Sequence, residues 1–362
     1  MGILYDETKK LFTLHTAHTS YQMMVDRFGN LLHLYYGARV HGAMDYLLTY
    51  QDRGFSGNPY AAGMDRTYSL DALPQEYPTL GTGDFRNIAF NMKNTHGTEG
   101  TVLLYQGHAI RKGKFALPGL PAVWADEEEA ETLEIVLADA VAGIEVRLLY
   151  AVLDENDVIT RSVVVRNIGT TCVTIEKAAA ACLDLVSGDY DVLRFYGKHA
   201  MERNLERTRL GHGSIRFGSR RGSSSHQYNP GVILAEAGAT ETAGACYGML
   251  FVYSGNFCCE AERDPYAQTR LLMGLNDELF SYPLAPGETF TVPEVILSYS
   301  AHGFAALSQQ YHRCIRKHIC RSPYMHRPRL VLINSWEAAY FEFSGDTIVG
   351  LAHDAAALDI DL

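Results

Sequence analysis

The chain has 362 residues and a formal net charge of -11 at pH 7, so it is long enough for two domains or for one large β domain with an appendage. This acidic balance argues against a nucleic-acid or anionic-membrane partner, because both require a basic face. No apolar run reaches the roughly 18 residues of a membrane-spanning helix, and the N-terminus lacks the pattern of a secretory signal. The seven Cys residues show no metal-type pairs, which predicts reduced thiols and a cytoplasmic protein.

The first 300 residues predict many short β-strands. Near the N-terminus, turn-forming residues at positions 26–30 indicate a hairpin meander. Gly, Asp and Asn separate the later segments, and this spacing favours a large antiparallel sandwich. The predicted strands are residues 12–14, 21–25, 32–36, 132–137, 144–153, 159–167, 172–184, 192–196, 248–253, 269–273 and 290–297.

One segment within this β region, residues 52–86, is too irregular for strands. It is rich in Gly and Pro, which interrupt both helices and strands. Long ordered loops are disproportionately functional, so this segment is a candidate for binding.

The pattern changes near Ala301. Apolar residues at helical spacing from His302 to Cys320 predict an amphipathic helix that ends before a Ser-Pro pair. The apolar run Leu330–Ile333 predicts a strand buried on both faces, which suits a parallel sheet. Residues 347–358 predict a second helix, and residues 360–362 the start of another strand. Strand, loop and helix in this order are typical of the first unit of a β/α barrel.

We therefore expect three regions, a β-sandwich over residues 1–300, a helical connector over residues 301–325 and the start of a barrel over residues 326–362. A complete β/α barrel needs about 200 residues or more. Only 37 residues remain from His326 onward, so a truncated barrel is expected.

The residues that follow the predicted barrel strand carry the most specific motif in the chain. Residues 334–343 read Asn-Ser-Trp-Glu-Ala-Ala-Tyr-Phe-Glu-Phe. This resembles the Asn-x-Trp-Glu-Ala-x-Tyr-Phe-Asp-Phe signature that opens the catalytic barrel of family 36 glycoside hydrolases, the bacterial-type α-galactosidases. Other segments similar to that family occur in the family's order, at residues 32–37, 65–71, 75–78, 83–86, 223–230, 253–257 and 284–288.

The resemblance implies a galactose-mutarotase-like β-supersandwich, a homotetramer and retaining hydrolysis of terminal α-galactosides such as melibiose and raffinose-type oligosaccharides. Retaining chemistry uses two carboxyl groups about 5 to 5.5 Å apart as nucleophile and acid/base. In the family both aspartates lie further along the barrel than the position of Leu362. This chain is therefore expected to have no catalytic residue and no activity of its own, and to shape the sugar pocket and build the oligomer.

The resemblance also implies three substrate-binding residues. The indole of Trp336 can stack on the apolar face of a sugar ring, and the alternative is a core Trp that seals the barrel end. In the family the irregular loop reaches the active site of a neighbouring subunit, and its Asp and Arg map onto Asp52 and Arg66, although the loop in this chain is one residue longer. A carboxylate and a guanidinium suit sugar hydroxyls; alternatively, these two side chains are solvated or paired with each other.

Two other functions stay open at this point. The β domain could be a noncatalytic assembly or carbohydrate-binding module. The chain could also belong to a family relative that acts on α-N-acetylgalactosaminides or transfers galactose. The His residues lack metal-ligand spacing, so neither a metal site nor a cofactor is expected.

Overall fold

The computed structural model describes residues 2–54 and 57–361. The chain divides into a first compact unit that ends at Ile319 and a second unit that runs from Cys320 onward. Within the described residues, no helix is both long enough and apolar enough to span a bilayer.

β-Strands are the main secondary structure of the first unit. Its described residues also form three short 3-10 turns, at Asp45–Leu47, Tyr60–Ala62 and Asp154–Asn156. The strands of the described residues are β1 (Ile3–Asp6), β2 (Leu11–His15), β3 (Thr19–Val25), β4 (Leu31–Ala38), β5 (Phe90–Lys93), β6 (Leu104–Lys112), β7 (Glu131–Asp139), β8 (Ile144–Leu153), β9 (Val158–Asn167), β10 (Val173–Leu185), β11 (Tyr190–Lys198), β12 (Met201–Arg209), β13 (Gly213–Gly218), β14 (Gly231–Glu236), β15 (Cys246–Phe251), β16 (Phe257–Arg263), β17 (Thr269–Leu275), β18 (Tyr282–Leu284) and β19 (Thr289–Ser300).

These strands form antiparallel sheets. The largest sheet has nine strands in the order β12-β11-β14-β15-β19-β9-β8-β7-β6. A six-stranded sheet has the order β13-β16-β17-β10-β18, with β5 also paired to β10, and β1 to β4 form a four-stranded meander. The predicted antiparallel sandwich and its N-terminal meander are confirmed.

The main hydrophobic core contains side chains from all of these sheets. In β8, Ile144, Val146 and Leu148 are fully buried, whereas Glu145 and Arg147 between them are only partly buried. Successive side chains of a strand point to opposite faces, so this alternation places one apolar face in the core. Each fully buried aliphatic side chain of this kind contributes roughly 1.5 to 3 kcal/mol.

The sequence does not predict the two edge strands of the nine-stranded sheet, β6 and β12. In β12 every side chain is exposed or only half-buried. An edge strand of this kind is rich in charged residues and has no buried face. It therefore lacks the apolar alternation from which the inner strands are recognised.

The helix predicted from His302 to Cys320 is confirmed as α1 (Gly303–His318). Its buried side chains Leu307, Tyr311 and Cys314 pack in a second apolar cluster with residues of β8, β9, β15 and β19. These strands contribute the side chains that alternate with those of the main core. The helix consequently covers the opposite face of the nine-stranded sheet and belongs to the first unit.

The second unit contains a short helix α2 (Trp336–Ala339) and a longer helix α3 (Gly345–Ala357). Ser344 begins α3 with a reciprocal cap, because its Oγ accepts from the Thr347 amide and its own amide donates to the Thr347 hydroxyl, both at 3.3 Å. Such a cap satisfies amide groups that the first helical turn leaves unpaired. The helix predicted at residues 347–358 is confirmed.

The prediction of a buried strand at Leu330–Ile333 is wrong for the described chain. No strand forms there, and the side chains are exposed, from 42% at Ile333 to 63% at Leu332. A strand requires a hydrogen-bonded neighbour. In the described residues, this segment has strand-like hydrogen bonds at Val331 alone, and both are with Asp361. The Val331 amide donates to the Asp361 carboxylate at 2.9 Å, and the Asp361 amide donates to the Val331 carbonyl at 3.0 Å.

We expect the amides of Leu330–Ile333 to exchange with solvent much faster than those of β8, because β8 is paired on both sides and residues 330–333 are not. Hydrogen exchange followed by mass spectrometry measures both segments in one experiment. Equal protection of the two segments would contradict the exposed, unpaired arrangement.

Candidate functional site

The irregular segment predicted for binding lies in the long connection between β4 and β5, residues 39–89. We call residues 39–66 the outer loop and residues 67–89 the inner loop. The outer loop exposes large apolar side chains, with Tyr60 and Met64 almost fully accessible. The inner loop is buried at most of its positions. The two parts therefore play different roles.

A buried carboxylate, Glu76, ties the inner loop to four strands. Its Oε1 accepts hydrogen bonds from the hydroxyls of Tyr21 at 2.5 Å and Tyr150 at 2.7 Å, and lies 3.0 Å from Arg161 Nη1. Its Oε2 lies 3.1 Å from His33 Nδ1. A buried charge is tolerated only when it is paired and hydrogen-bonded, so this geometry fixes the inner loop against β3, β4, β8 and β9.

Burial alone would raise the pKa of Glu76, but the positive charge of Arg161 and the hydrogen bond with His33 hold that pKa below its ordinary value. Burial also raises the pKa of the Tyr21 and Tyr150 phenols well above the ordinary value. Both phenols therefore keep their protons and act as donors to the Glu76 carboxylate.

A second buried network joins the inner loop to the six-stranded sheet through Arg270 of β17. Its guanidinium bonds Asp184 of β10 at 2.6 and 2.7 Å and Asp84 of the loop at 2.8 Å. Arg86 bonds the other oxygen of Asp84 at 2.9 Å. Arg86 also donates to the carbonyl oxygens of Leu70 at 2.8 Å and Leu73 at 2.7 Å. Although burial opposes ionisation, the two guanidinium groups lower the pKa of Asp84 to about 2.

We expect Asp84→Asn to destabilise the protein at neutral pH and to do so less as the pH falls. The pKa of an unfolded Asp is about 3.9, above the folded value of about 2. The ionised carboxylate therefore contributes stability above about pH 4 that is lost as the pH falls from about 4 toward 2, a contribution of roughly 2.6 kcal/mol.

Urea unfolding of the parent and the Asp84→Asn variant, at about pH 6 and about pH 3, measures this difference. Asp45→Asn is a matched control, since Asp45 lies on the same loop with its side chain 38% exposed beside Lys9. A destabilisation by Asp84→Asn that is the same at both pH values would contradict the role of its charge.

The outer loop brings the sequence-predicted residues Asp52 and Arg66 together. Arg66 Nη2 lies 3.3 Å from Asp52 Oδ1, and the same nitrogen is 3.4 Å from the carbonyl oxygen of Gly54. The Arg66 and Asp52 side chains are 63% and 49% exposed. The arrangement matches the alternative in which the two are paired, and their exposure also leaves them accessible to a ligand.

Asp52→Ala and Arg66→Ala should each change the free energy of unfolding by no more than about 0.5 kcal/mol, as surface substitutions usually do. A double-mutant cycle should give a coupling below about 1 kcal/mol, because water screens an exposed ion pair. Chemical denaturation of the two single variants and the double variant checks both values. A larger coupling would mean that the pair serves the fold.

The third predicted residue, Trp336, begins α2 in the second unit. Its side chain is 46% exposed, and its ring makes edge contacts with Tyr340 and Phe341 at centroid distances of 5.6 and 4.8 Å. Its amide donates to Asn334 Oδ1 at 2.7 Å. In the described chain the indole is therefore an accessible aromatic surface and not a sealed core residue.

Among residues 2–54 and 57–361, no cluster of three or more His, Cys, Asp or Glu side chains has the geometry to hold a metal ion. The sequence did not identify the anchoring residues Glu76, Asp84, Arg161 and Arg270. One signal was present, because Arg161 shares the core-facing side of β9 with Ile159 and Val163. An arginine on such a face requires a buried acidic partner.

The first unit is a large antiparallel sandwich, and the second unit exposes the Asn-x-Trp-Glu motif that resembles a glycoside hydrolase signature. The comparison with protein families specifies the family. The Glycosyl hydrolase family 36 N-terminal domain matches residues 29–285, and Melibiase matches residues 289–362. The chain belongs to glycosyl hydrolase family 36, as the sequence motif predicted.

Curated relatives have the same family identity. The chain is 74% identical over 362 residues to the bifunctional alpha-galactosidase/sucrose kinase AgaSK of Mediterraneibacter gnavus, covering 100% of this chain and 39% of that protein. It is 42% identical over 366 residues to alpha-galactosidase AgaA of Geobacillus stearothermophilus, covering 100% of this chain and 50% of AgaA. The chain thus spans half or less of the length of these relatives.

Solved structures show the same fold. The galactosidase domain of AgaSK superimposes with a TM-score of 0.97 at 74% identity, covering 99% of this chain and 50% of that one. A Geobacillus stearothermophilus AgaA variant in complex with raffinose gives a TM-score of 0.94 at 42% identity, covering 98% of this chain and 49% of that one. Another AgaA variant was solved with stachyose.

Proposed function

We propose that this chain forms the N-terminal half of a retaining α-galactosidase that acts on terminal α-galactosides, including melibiose and raffinose-type oligosaccharides. The observation that carries this proposal is the accessible Asp52–Arg66 pair on the outer loop, which continues into an inner loop that is fixed in the core. The names of the relatives and the raffinose and stachyose complexes of AgaA support the substrate class.

Each proposed binding residue has a distinct task. The Arg66 guanidinium donates hydrogen bonds to sugar hydroxyls, and the Asp52 carboxylate accepts them. The Trp336 indole stacks on the apolar C–H face of the ring. Retaining hydrolysis requires two carboxyl groups about 5 to 5.5 Å apart, and we assign neither of those roles to a residue of this chain.

We also propose that the outer loop delivers Asp52 and Arg66 to the sugar site of a neighbouring subunit in a homotetramer. Clusters of exposed large apolar side chains mark protein interfaces, and the described residues of the outer loop include four such side chains, those of Tyr46, Tyr50, Tyr60 and Met64. A cytoplasmic location is part of the same proposal. It is supported by the cysteines of the described chain, which are all unpaired.

The test uses a hybrid enzyme in which this chain replaces the corresponding half of the galactosidase domain of AgaSK. We expect the hybrid to hydrolyse a chromogenic α-galactoside and the 362-residue chain to leave it intact. Trp336→Ala should weaken galactose binding by the hybrid by about 1 to 3 kcal/mol, the range for losing a large apolar contact surface. Asp52→Ala should weaken it less and only while the oligomer is assembled.

Calorimetric titration with galactose at two protein concentrations separates these effects. The matched control compares Trp336→Phe with Trp124→Phe. Trp124 is the other Trp of the chain and lies in the first unit beside His318. An Asp52 effect that persists after dissociation would exclude delivery to a neighbouring subunit. Unchanged binding in both Trp336 variants would exclude the sugar contact.

A further inference from the structure

The loop crosses itself at two glycines that lie far apart in sequence. A Cβ added to Gly57 would lie 3.0 Å from both the Cα and the carbonyl oxygen of Gly83. A Cβ added to Gly83 would lie 3.2 Å from the carbonyl carbon of Gly57. The Ser69 hydroxyl donates to the Gly57 carbonyl oxygen at 2.5 Å. We call Gly57, Ser69 and Gly83 the loop clasp.

The inner side of the clasp is attached to the buried Arg270 network. Gly83 directly precedes Asp84, which accepts hydrogen bonds from both Arg86 and Arg270. Ser69 directly precedes Leu70, and the Leu70 carbonyl accepts from the same Arg86. A displacement of Gly83 or Ser69 would therefore disturb buried charge-assisted hydrogen bonds, whose loss is costly. We therefore expect that a side chain added at the crossing displaces the Gly57 backbone and not the Gly83 backbone.

The outer side of the clasp belongs to the segment that presents the proposed sugar contacts. Asp52 precedes Gly57 by five positions, and Arg66 precedes Ser69 by three. The outer loop also contacts the rest of the first unit through Arg53, which lies 4.2 Å above the Tyr266 ring, and through the pair between Arg27 and Asp65 at 2.5 Å. Both are surface contacts. The outer loop connects to the buried interior through Leu48 and Ala62, which pack in an apolar cluster with Leu32 and Leu34, and through the clasp.

We propose that the loop clasp positions Asp52 and Arg66 for substrate, so that Gly57 and Ser69 are positioning residues for the terminal sugar. This rests on the proposed function, in which Asp52 and Arg66 contact that sugar. Gly57 is required because its backbone passes directly over that of Gly83. An added methyl group there would act through steric contact with the Gly83 backbone.

Gly57→Ala in the hybrid enzyme tests the clasp, with Gly42→Ala as the matched control. Gly42 is on the same loop, has no left-handed φ, and an added Cβ there meets nothing within 4 Å. We expect Gly57→Ala to raise KM for a nitrophenyl α-galactoside about tenfold, equivalent to about 1.4 kcal/mol. The kcat should stay nearly unchanged, because lost uniform binding raises KM alone. Gly42→Ala should leave both constants unchanged.

A second background separates positioning from general damage to the fold. In an Asp52→Ala, Arg66→Ala hybrid, adding Gly57→Ala should raise KM no further, because effects that act through the same contacts are not additive. A tenfold rise that persists in this background would overturn the positioning role. Limited trypsin digestion of the 362-residue chain should show faster cleavage after Arg53 and Arg66 in Gly57→Ala than in Gly42→Ala, and equal rates would also overturn it.

The remaining outcomes distinguish this proposal from the one on which it rests. If Asp52→Ala and Arg66→Ala leave KM unchanged, the sugar contacts are absent and both proposals fail. If those two substitutions raise KM and Gly57→Ala does not, the sugar contacts stand and the clasp alone is overturned.

Discussion

The buried contact between Arg161 and Glu76 is the constraint on which the arrangement of the first unit depends. Arg161 has no exposed surface, and its guanidinium bonds the Glu76 carboxylate, the Glu76 carbonyl oxygen at 2.9 Å and the Cys182 carbonyl oxygen at 2.5 Å. Removing one partner of such a pair leaves the other charge buried without compensation and lowers stability by about 3 to 5 kcal/mol. These bonds hold the inner loop against both β9 and β10.

This constraint divides the connection between β4 and β5 into two parts, one anchored in the core and one on the surface. The inner loop carries two acidic anchors, Glu76 and Asp84, and behaves as core although it contains no strand. The outer loop carries exposed apolar side chains and the surface ion pair between Asp52 and Arg66. Ordered loops that carry function need a rigid scaffold, and in this protein the scaffold reaches the loop through guanidinium groups on two different sheets. Apolar packing alone would not fix the loop's register so specifically.

The sequence predicts those features that arise from local periodicity. Alternation reveals inner strands such as β8, and helical spacing reveals α1, because each of these elements buries one regular face. The family motif at residues 334–343 is equally local. Features that depend on distant partners are not predicted. Leu330–Ile333 has the composition of a buried strand, but a strand forms only beside a neighbour, and composition does not supply one.

The crossing of Gly57 and Gly83 is another feature without a local signal, because 26 positions separate the two residues. The anchors are an intermediate case. Arg161 stands on the inward face of an apolar strand, and such a position predicts a buried acidic partner, but no pattern specifies that the partner is Glu76. The fold determines which buried charged groups meet. The family resemblance identifies the candidate residues Asp52 and Arg66, but the sequence does not show which residues of the supporting network contact each other.

The contrast between the two kinds of ion pair would let the loop hold its shape while it binds a sugar as proposed. The Asp52–Arg66 pair is half-exposed, so water already competes for its hydrogen bonds and a sugar hydroxyl can replace either partner at little cost. The Asp84–Arg270 pair is fully buried in a network with Arg86 and Asp184, and a ligand that reached it would have to break charge-assisted bonds away from water. The proposed binding at the surface pair would therefore leave Glu76 and Asp84 undisturbed. In this proposal, the stability of the loop and its exchange of hydrogen bonds with a ligand depend on different residues.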